Sequence, residues 1–188
     1  MSTGWIIAII VIAVIVIWYV MTYNGLVAMR THVQESWSQI DVQLTRRNDL
    51  IPNLLETVKG YSKYEKGVFE QVTKLRSELA GVPAGDHQEK MNVANQLTGA
   101  LHSLIAVAEN YPDLKASTEY SKLMEELTNT ENKIAYSRQL YNSTAANMNA
   151  KIQQFPSNII ANLGHFTAID YLKAPESARE VPKVSFDD

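Results

Sequence analysis

The chain has 188 residues, with 17 Lys and Arg against 20 Asp and Glu, and no cysteine. Slight acidity excludes the clustered basic face of a nucleic-acid binder. The missing thiols exclude disulfides, thiolate metal ligands, a cysteine nucleophile and lipidation at cysteine. After a cap at residues 1–4 comes "WIIAIIVIAVIVIWYVMTY", Trp5 to Tyr23, without one charged side chain. As a helix it reaches roughly 28 Å, enough to cross a bilayer core. Trp5 stands at one end and Trp18, Tyr19 and Tyr23 at the other, the arrangement of interfacial anchors. The pattern predicts a single transmembrane helix at 5–23, with the lipid bilayer as its partner. A core helix of this size would carry a polar face. A cleaved signal peptide would bring a basic start and a small-x-small site, and neither is present. Arg30, the first charge, is one positive-inside vote for a cytoplasmic domain.

A helical bundle is expected over 24–164. Steps of seven from Leu26 give Val33, Ile40, Arg47, Leu54 and Tyr61; from Arg30 they give Trp37, Leu44, Ile51 and Val58. These two series form the seam of a long amphipathic helix. Asn24-Gly25 is either a break or a soft spot in one continuous helix. Pro52 removes a donor and crowds the carbonyl four residues back, and Asn48 or Asp49 is placed to cap a fresh start. The seam keeps its phase across Pro52, which favours a kink over a break. Gly60-Tyr61 ends the helix.

A second helix is expected over Tyr64–Leu79, then a loop at "AGVPAGDH", a third helix over Gln88–Glu109 and a turn at "NYPDLKAS". In that turn Asp113 is expected to cap the next helix. The fourth helix is expected over Ser117–Phe155, with Leu127, Ile134, Tyr141, Met148 and Phe155 repeating by sevens. "NIIANLG" adds a short helical turn. The tail, 165–188, is extended, with a strand-like piece at 181–186 where Val184 and Phe186 alternate with polar neighbours. The fold class is therefore all-α: one membrane helix leading into an antiparallel bundle of about four helices.

No motif for chemistry emerges. His32, His87, His102 and His165 have no spacing for a shared metal, and there is no phosphate loop or nucleophile elbow. The reading is of a protein without catalytic residues, cofactor, metal or small-molecule substrate. Acids have local bases in helical reach: Glu119 has Lys115 and Lys122, Glu126 has Lys122, and Arg46 has Asp49. Arg47 is different, because Gln43, Leu44, Leu50 and Ile51 are its helical neighbours. A charge on an apolar seam needs an opposite charge or water. Arg47 is expected to take a carboxylate from another helix, Glu131 first and Glu109 second, fixing register. The alternative is that it snorkels to solvent along its stem.

"TYNGLVAMRTHVQESWSQIDVQLTRRNDLIPNLLETVKGY", "AENYPDLKAS", "TENKIAYSRQLYN", "IQQFPSN" and the closing "VPKVSF" together resemble the LemA family of bacterial membrane proteins. The resemblance covers nearly the whole chain. It implies a helical domain on an N-terminal anchor and supplies no catalytic residues. Some similar proteins carry a lipoprotein-type cysteine just before the "YN" pair, where this chain has "MTYN". That likeness implies a domain on the exported side of the bacterial inner membrane, against the vote of Arg30. Relatives are often encoded near membrane zinc proteases or other envelope proteins, which implies a partner role.

Two functions are in view. The first is a membrane-attached scaffold that assembles into a homo-oligomer. Leu26, Val33, Trp37, Met148 and Phe155 lie where the shorter helices are not expected to reach, and an uncovered stripe marks a contact. Val184 and Phe186 would add to it. The second is an adaptor for another envelope membrane protein, through the same stripe or the tail. A hydrolytic enzyme ranks last.

Overall fold

A computed structural model of the chain describes residues 3–61 and 66–173. Val184, Phe186 and the expected strand-like piece at 181–186 lie outside the described residues, as does Tyr64. The described residues are helical, with no strand among them: α1 (Thr3–Lys59), α2 (Lys66–Gly81), α3 (His87–Ala108), α4 (Pro112–Lys115), α5 (Thr118–Gln153) and α6 (Ser157–Leu163).

The first helix runs through Asn24-Gly25 and through Pro52 without a break. Asn48 and Asp49 therefore cap no new helix. Pro52 has no N–H to give the carbonyl of Asn48. Arg76, on α2, fills that vacancy: its Nε donates to the Asn48 carbonyl oxygen at 3.1 Å. The defect is repaired from outside, so the helix need not stop.

Other ends obey local chemistry. The Asp86 side chain accepts from the Glu89 backbone N–H at 3.0 Å and starts α3, with Glu89 placed as in a capping box. Pro112 is accepted at the first position of α4. Asp113, expected to cap the next helix, instead lies in the first turn of α4. Ser117 takes the capping role for α5, its Oγ accepting from the Tyr120 N–H at 3.4 Å. Beyond α5, the Ser157 hydroxyl bonds the carbonyls of Lys151 (2.7 Å) and Gln154 (2.9 Å), which turns the chain into α6. At the end of α6 the Phe166 N–H reaches back to the Ala161 carbonyl at 2.9 Å, with His165 left-handed at φ 53°. This is a Schellman-type stop built without glycine at the left-handed residue.

Packing groups the chain into two compact units, to both of which α1 and α5 contribute. One unit comprises Met1–Asp41 and Ala135–Tyr171. Here α1 and α5 run antiparallel: Trp37 meets Tyr141 edge-on at 6.0 Å, and the Thr144 hydroxyl reaches Ser36 at 3.3 Å. Leu26, Val33, Trp37, Ile40, Tyr141, Ala145 and Met148 are buried. This corrects the expected exposed stripe. Leu26, Val33, Trp37 and Met148 are covered by their own chain, because α5 accompanies α1 this far and the segment after α6 folds back. Each large side chain so covered contributes about 1.5–3 kcal/mol. Phe155 breaks the sevenfold series: α5 stops at Gln153, and Phe155 is 81% exposed.

The other unit comprises Val42–Ile134 and Leu172–Asp188. Its core takes Leu44, Ile51, Leu54 and Val58 from α1, Val72, Leu75 and Leu79 from α2, Met91, Leu97 and Leu104 from α3, and Leu127 and Ile134 from α5. In α1 most buried positions fall on the seam read from sequence, Arg47 included; Ser36 and Leu55 are buried beside it, and Arg30, which opens one of the two series, is exposed.

Candidate functional site

Arg47 is the polar centre of the second unit. Its side chain is 1% exposed, and that of Glu131 is 43% exposed. Nη1 donates to Glu131 Oε2 at 2.9 Å and to Thr98 Oγ1 at 2.8 Å, while Nη2 donates to the Ala94 carbonyl at 3.0 Å. Nε finds no acceptor among the described residues. Burial pulls the guanidinium below its ordinary pKa, and Glu131, by charge and hydrogen bond, pulls the other way. Glu109, the second choice of partner, is exposed and lies instead near Tyr120, whose phenol burial and the Glu109 charge push upward. Arg47 forms the floor of an open cleft of about 210 Å³, between α3 and α5, that also takes in His102 and Met124. Snorkelling to water is not what the guanidinium does here. One residue earlier, Arg46 pairs with Glu126 of α5 rather than with Asp49.

The first unit holds three other features. Asn149 clamps the segment after α6: its Nδ2 donates to the Ile169 carbonyl at 2.9 Å and its Oδ1 accepts the Ile169 N–H at 2.8 Å. Phe166 sits between Tyr23, edge-on at 5.6 Å, and the Arg30 guanidinium 5.2 Å from the ring centre. Gly164 makes room for this, because a Cβ there would lie 2.7 Å from Phe166 Cε2 and 3.2 Å from Tyr23 Cε2. Third, an open groove of about 500 Å³ lies between α1 and α5, lined by Met29, His32, Thr144, Asn147, Lys151 and Gln154.

Of the expected anchors, Trp5 and Tyr19 are exposed, Trp18 and Tyr23 are half-buried, and Tyr19 stacks on Tyr23 at 6.3 Å. The apolar window of α1 is long enough to cross a membrane, and none of it is buried. Among the described residues no three His, Asp or Glu side chains converge as metal ligands.

The LemA family model matches residues 36–186, which include Arg47, Glu131, the Asn149 clamp and α6. The chain belongs to the LemA family. This LemA-family chain is 26% identical over 175 residues to magnetosome protein MamQ of Magnetospirillum gryphiswaldense, covering 80% of the chain and 64% of that protein. It is 28% identical over 177 residues to magnetosome protein MamQ 2 of Paramagnetospirillum magneticum, with 81% and 65% covered. Over 143 residues it is 28% identical to protein LemA of Metamycoplasma hominis, with 76% and 65% covered. The chain thus spans 64–65% of the length of these relatives. The match to the LemA model starts beyond Tyr23, so the apolar span lies outside it.

Sequence reasoning missed Thr98, the Ala94 carbonyl, the Arg76–Asn48 contact and the Asn149 clamp. Pro52 itself carried the signal for Arg76, since a proline inside a helix always leaves one carbonyl open. Asn149, beside Met148 in the seam series, carried another, since a buried amide needs partners.

Proposed function

We propose that this chain is a membrane-anchored helical scaffold of the bacterial cell envelope, which works by binding rather than by catalysis. The observation that carries this reading is the apolar stretch Trp5–Tyr23, left bare although α1 continues from it into a packed unit. Its isoleucines and valines are about half exposed or more. In water each would forgo on the order of 1.5 kcal/mol or more of burial, whereas a bilayer dissolves them all. The names of the relatives are not those of enzymes, which agrees with a binding role.

In the scaffold we favour, copies of the chain assemble with one another and gather their anchors in one membrane patch. Leu26, Val33, Trp37 and Met148 are engaged within the chain, so the contacts between copies fall to the anchor and to surface side chains. The helical module stands on the exported side of a single span, in line with the family resemblance and against the lone Arg30. The groove at Met29 and Lys151 favours a second reading, an adaptor that seats a segment of another envelope protein.

Sizing the detergent-solubilised full chain tests both. A uniform particle of several copies is the expected result. A solitary chain that enlarges only with a second membrane protein supports the adaptor. A solitary chain that stays in solution without detergent refutes the anchor. Single cysteines introduced into this cysteine-free sequence, labelled in intact cells, report the side.

A further inference from the structure

The antiparallel register of α1 and α5 fixes the level at which α5 ends. Trp37 meets Tyr141, and Ser36 meets Thr144. Phe155 lies as far beyond Tyr141 as Tyr23 lies before Trp37, and as far beyond Thr144 as Gly25 lies before Ser36. The α5–α6 turn therefore falls level with the aromatic end of the apolar span. The far end of α6 falls there too, since Gly164 and Phe166 both pack against Tyr23. A helix with both ends at one level of α1 runs across the axis of α1.

That turn and helix have an unusual outer face. Phe155 is 81% exposed, Ile159 47% and Leu163 65%, at successive spacings of four. Ile160 and Ala161 face inward and hold the helix to its unit. From Ile152 to Gly164 no residue is charged, and Lys151 stands directly before this run. A bare apolar face of this kind, amphipathic and continuous with a membrane anchor, fits the boundary between headgroups and acyl chains.

We propose that α6 is an interfacial helix, with Phe155, Ile159 and Leu163 inserted into the headgroup region of the bilayer that the span crosses. This rests on the anchor reading above. The module then meets the membrane at two places, the span and α6, and the contact fixes how α1 leaves the bilayer.

The test uses the full chain in phosphatidylcholine–phosphatidylglycerol vesicles. The sequence has no cysteine, so F155C, I159C, L163C, S143C and I12C each place one environment-sensitive fluorophore. Lipids carrying a nitroxide quencher at the headgroup or deep in the acyl chain report depth. Ser143 is exposed and lies roughly 18 Å up α5 from Phe155 at about 1.5 Å per residue, so its label is reached by neither quencher. Labels at 155, 159 and 163 are expected to be quenched about twofold or more by the shallow quencher. The label at 12 is expected to respond to the deep one. Quenching at 12 with none beyond the Ser143 level at 155, 159 and 163 overturns the inference and leaves the anchor standing. No quenching at 12 refutes the anchor itself. Labels at the three sites that are shielded by a second copy, and not reached by lipid quencher, also overturn it.

Discussion

Replacing Glu131 by Gln isolates the energetics of the buried arginine. The guanidinium of Arg47 is 1% exposed and keeps Thr98 and the Ala94 carbonyl in the variant. It loses the carboxylate bonded to it at 2.9 Å. Breaking a fully buried pair from one side costs about 3–5 kcal/mol. Glu131 is 43% exposed and two neutral acceptors remain, so Glu131→Gln is expected to cost about 2 kcal/mol. Arg47→Met is expected to behave oppositely. It removes the desolvated charge and fills the seam with an apolar stem, Thr98 keeps its bond to the Ala94 carbonyl at 3.1 Å, and Glu131 turns to water. It should lie within about 1 kcal/mol of the parent, on either side. The double variant should match Arg47→Met within about 0.5 kcal/mol. Thermal unfolding of the detergent-solubilised full chain, followed by circular dichroism, reads these as a Tm drop of about 4–8 °C for Glu131→Gln and little change for the others. Equal losses for Arg47→Met and Glu131→Gln would refute the reasoning, because the charge would then be a net stabiliser. No loss in either would mean that Arg47 escapes to solvent when unpaired.

The same melts check three more expectations. Arg76→Met should cost about 1–2 kcal/mol by orphaning the Asn48 carbonyl, and much less in a Pro52→Ala background, where a restored N–H takes that carbonyl; equal costs in both backgrounds would break the link. Gly164→Ala should lose about 1–3 kcal/mol from overpacking against Phe166 and Tyr23, with faster amide exchange at residues 165–170 as the local readout. Burial first, and then the Asp170 charge, raise the Tyr141 phenol above its ordinary pKa. The unfolded chain therefore ionises first as pH passes about 10, binds fewer protons than the folded one, and stability falls. Tyr141→Phe should flatten that alkaline loss in urea titrations run at stepped pH, while costing less than about 1 kcal/mol at neutral pH, where its 3.4 Å bond to the Asp170 carbonyl is weak.

Periodicity carried much of the fold. The sevenfold steps from Leu26 and Arg30 mark the buried side of α1, because a helix can bury only the stripe it repeats. An arginine on that stripe with no acid in local reach pointed to another helix, and Glu131 is the acid that α5 presents there. Arg46 was harder, because Asp49 is in local reach and Glu126 becomes visible only once α1 and α5 are paired. Glu109, second to Glu131 in the reading from sequence, also has no base in local reach; its place past the end of α3 takes it away from Arg47. The covering of Leu26 to Trp37 was illegible for a related reason. Counting short helices against long ones misses that α5 itself accompanies α1, and that the chain after α6 returns to be held by Asn149. Phe155 fitted the series by sevens, but a repeat does not say where a helix stops, and Ser157 takes the last carbonyls first.

Pro52 leaves a mark on an otherwise uniform rod. Along the interior of a regular helix every carbonyl already accepts one backbone N–H, so a carbonyl left with none is the stronger foothold for a neighbouring guanidinium. The missing hydrogen creates a single address, and Arg76 is the residue that answers to it. A sliding error of one turn in α2 would leave both groups stranded. One imino acid, often taken for a flaw in a helix, thus tells the second helix where on the first to stop.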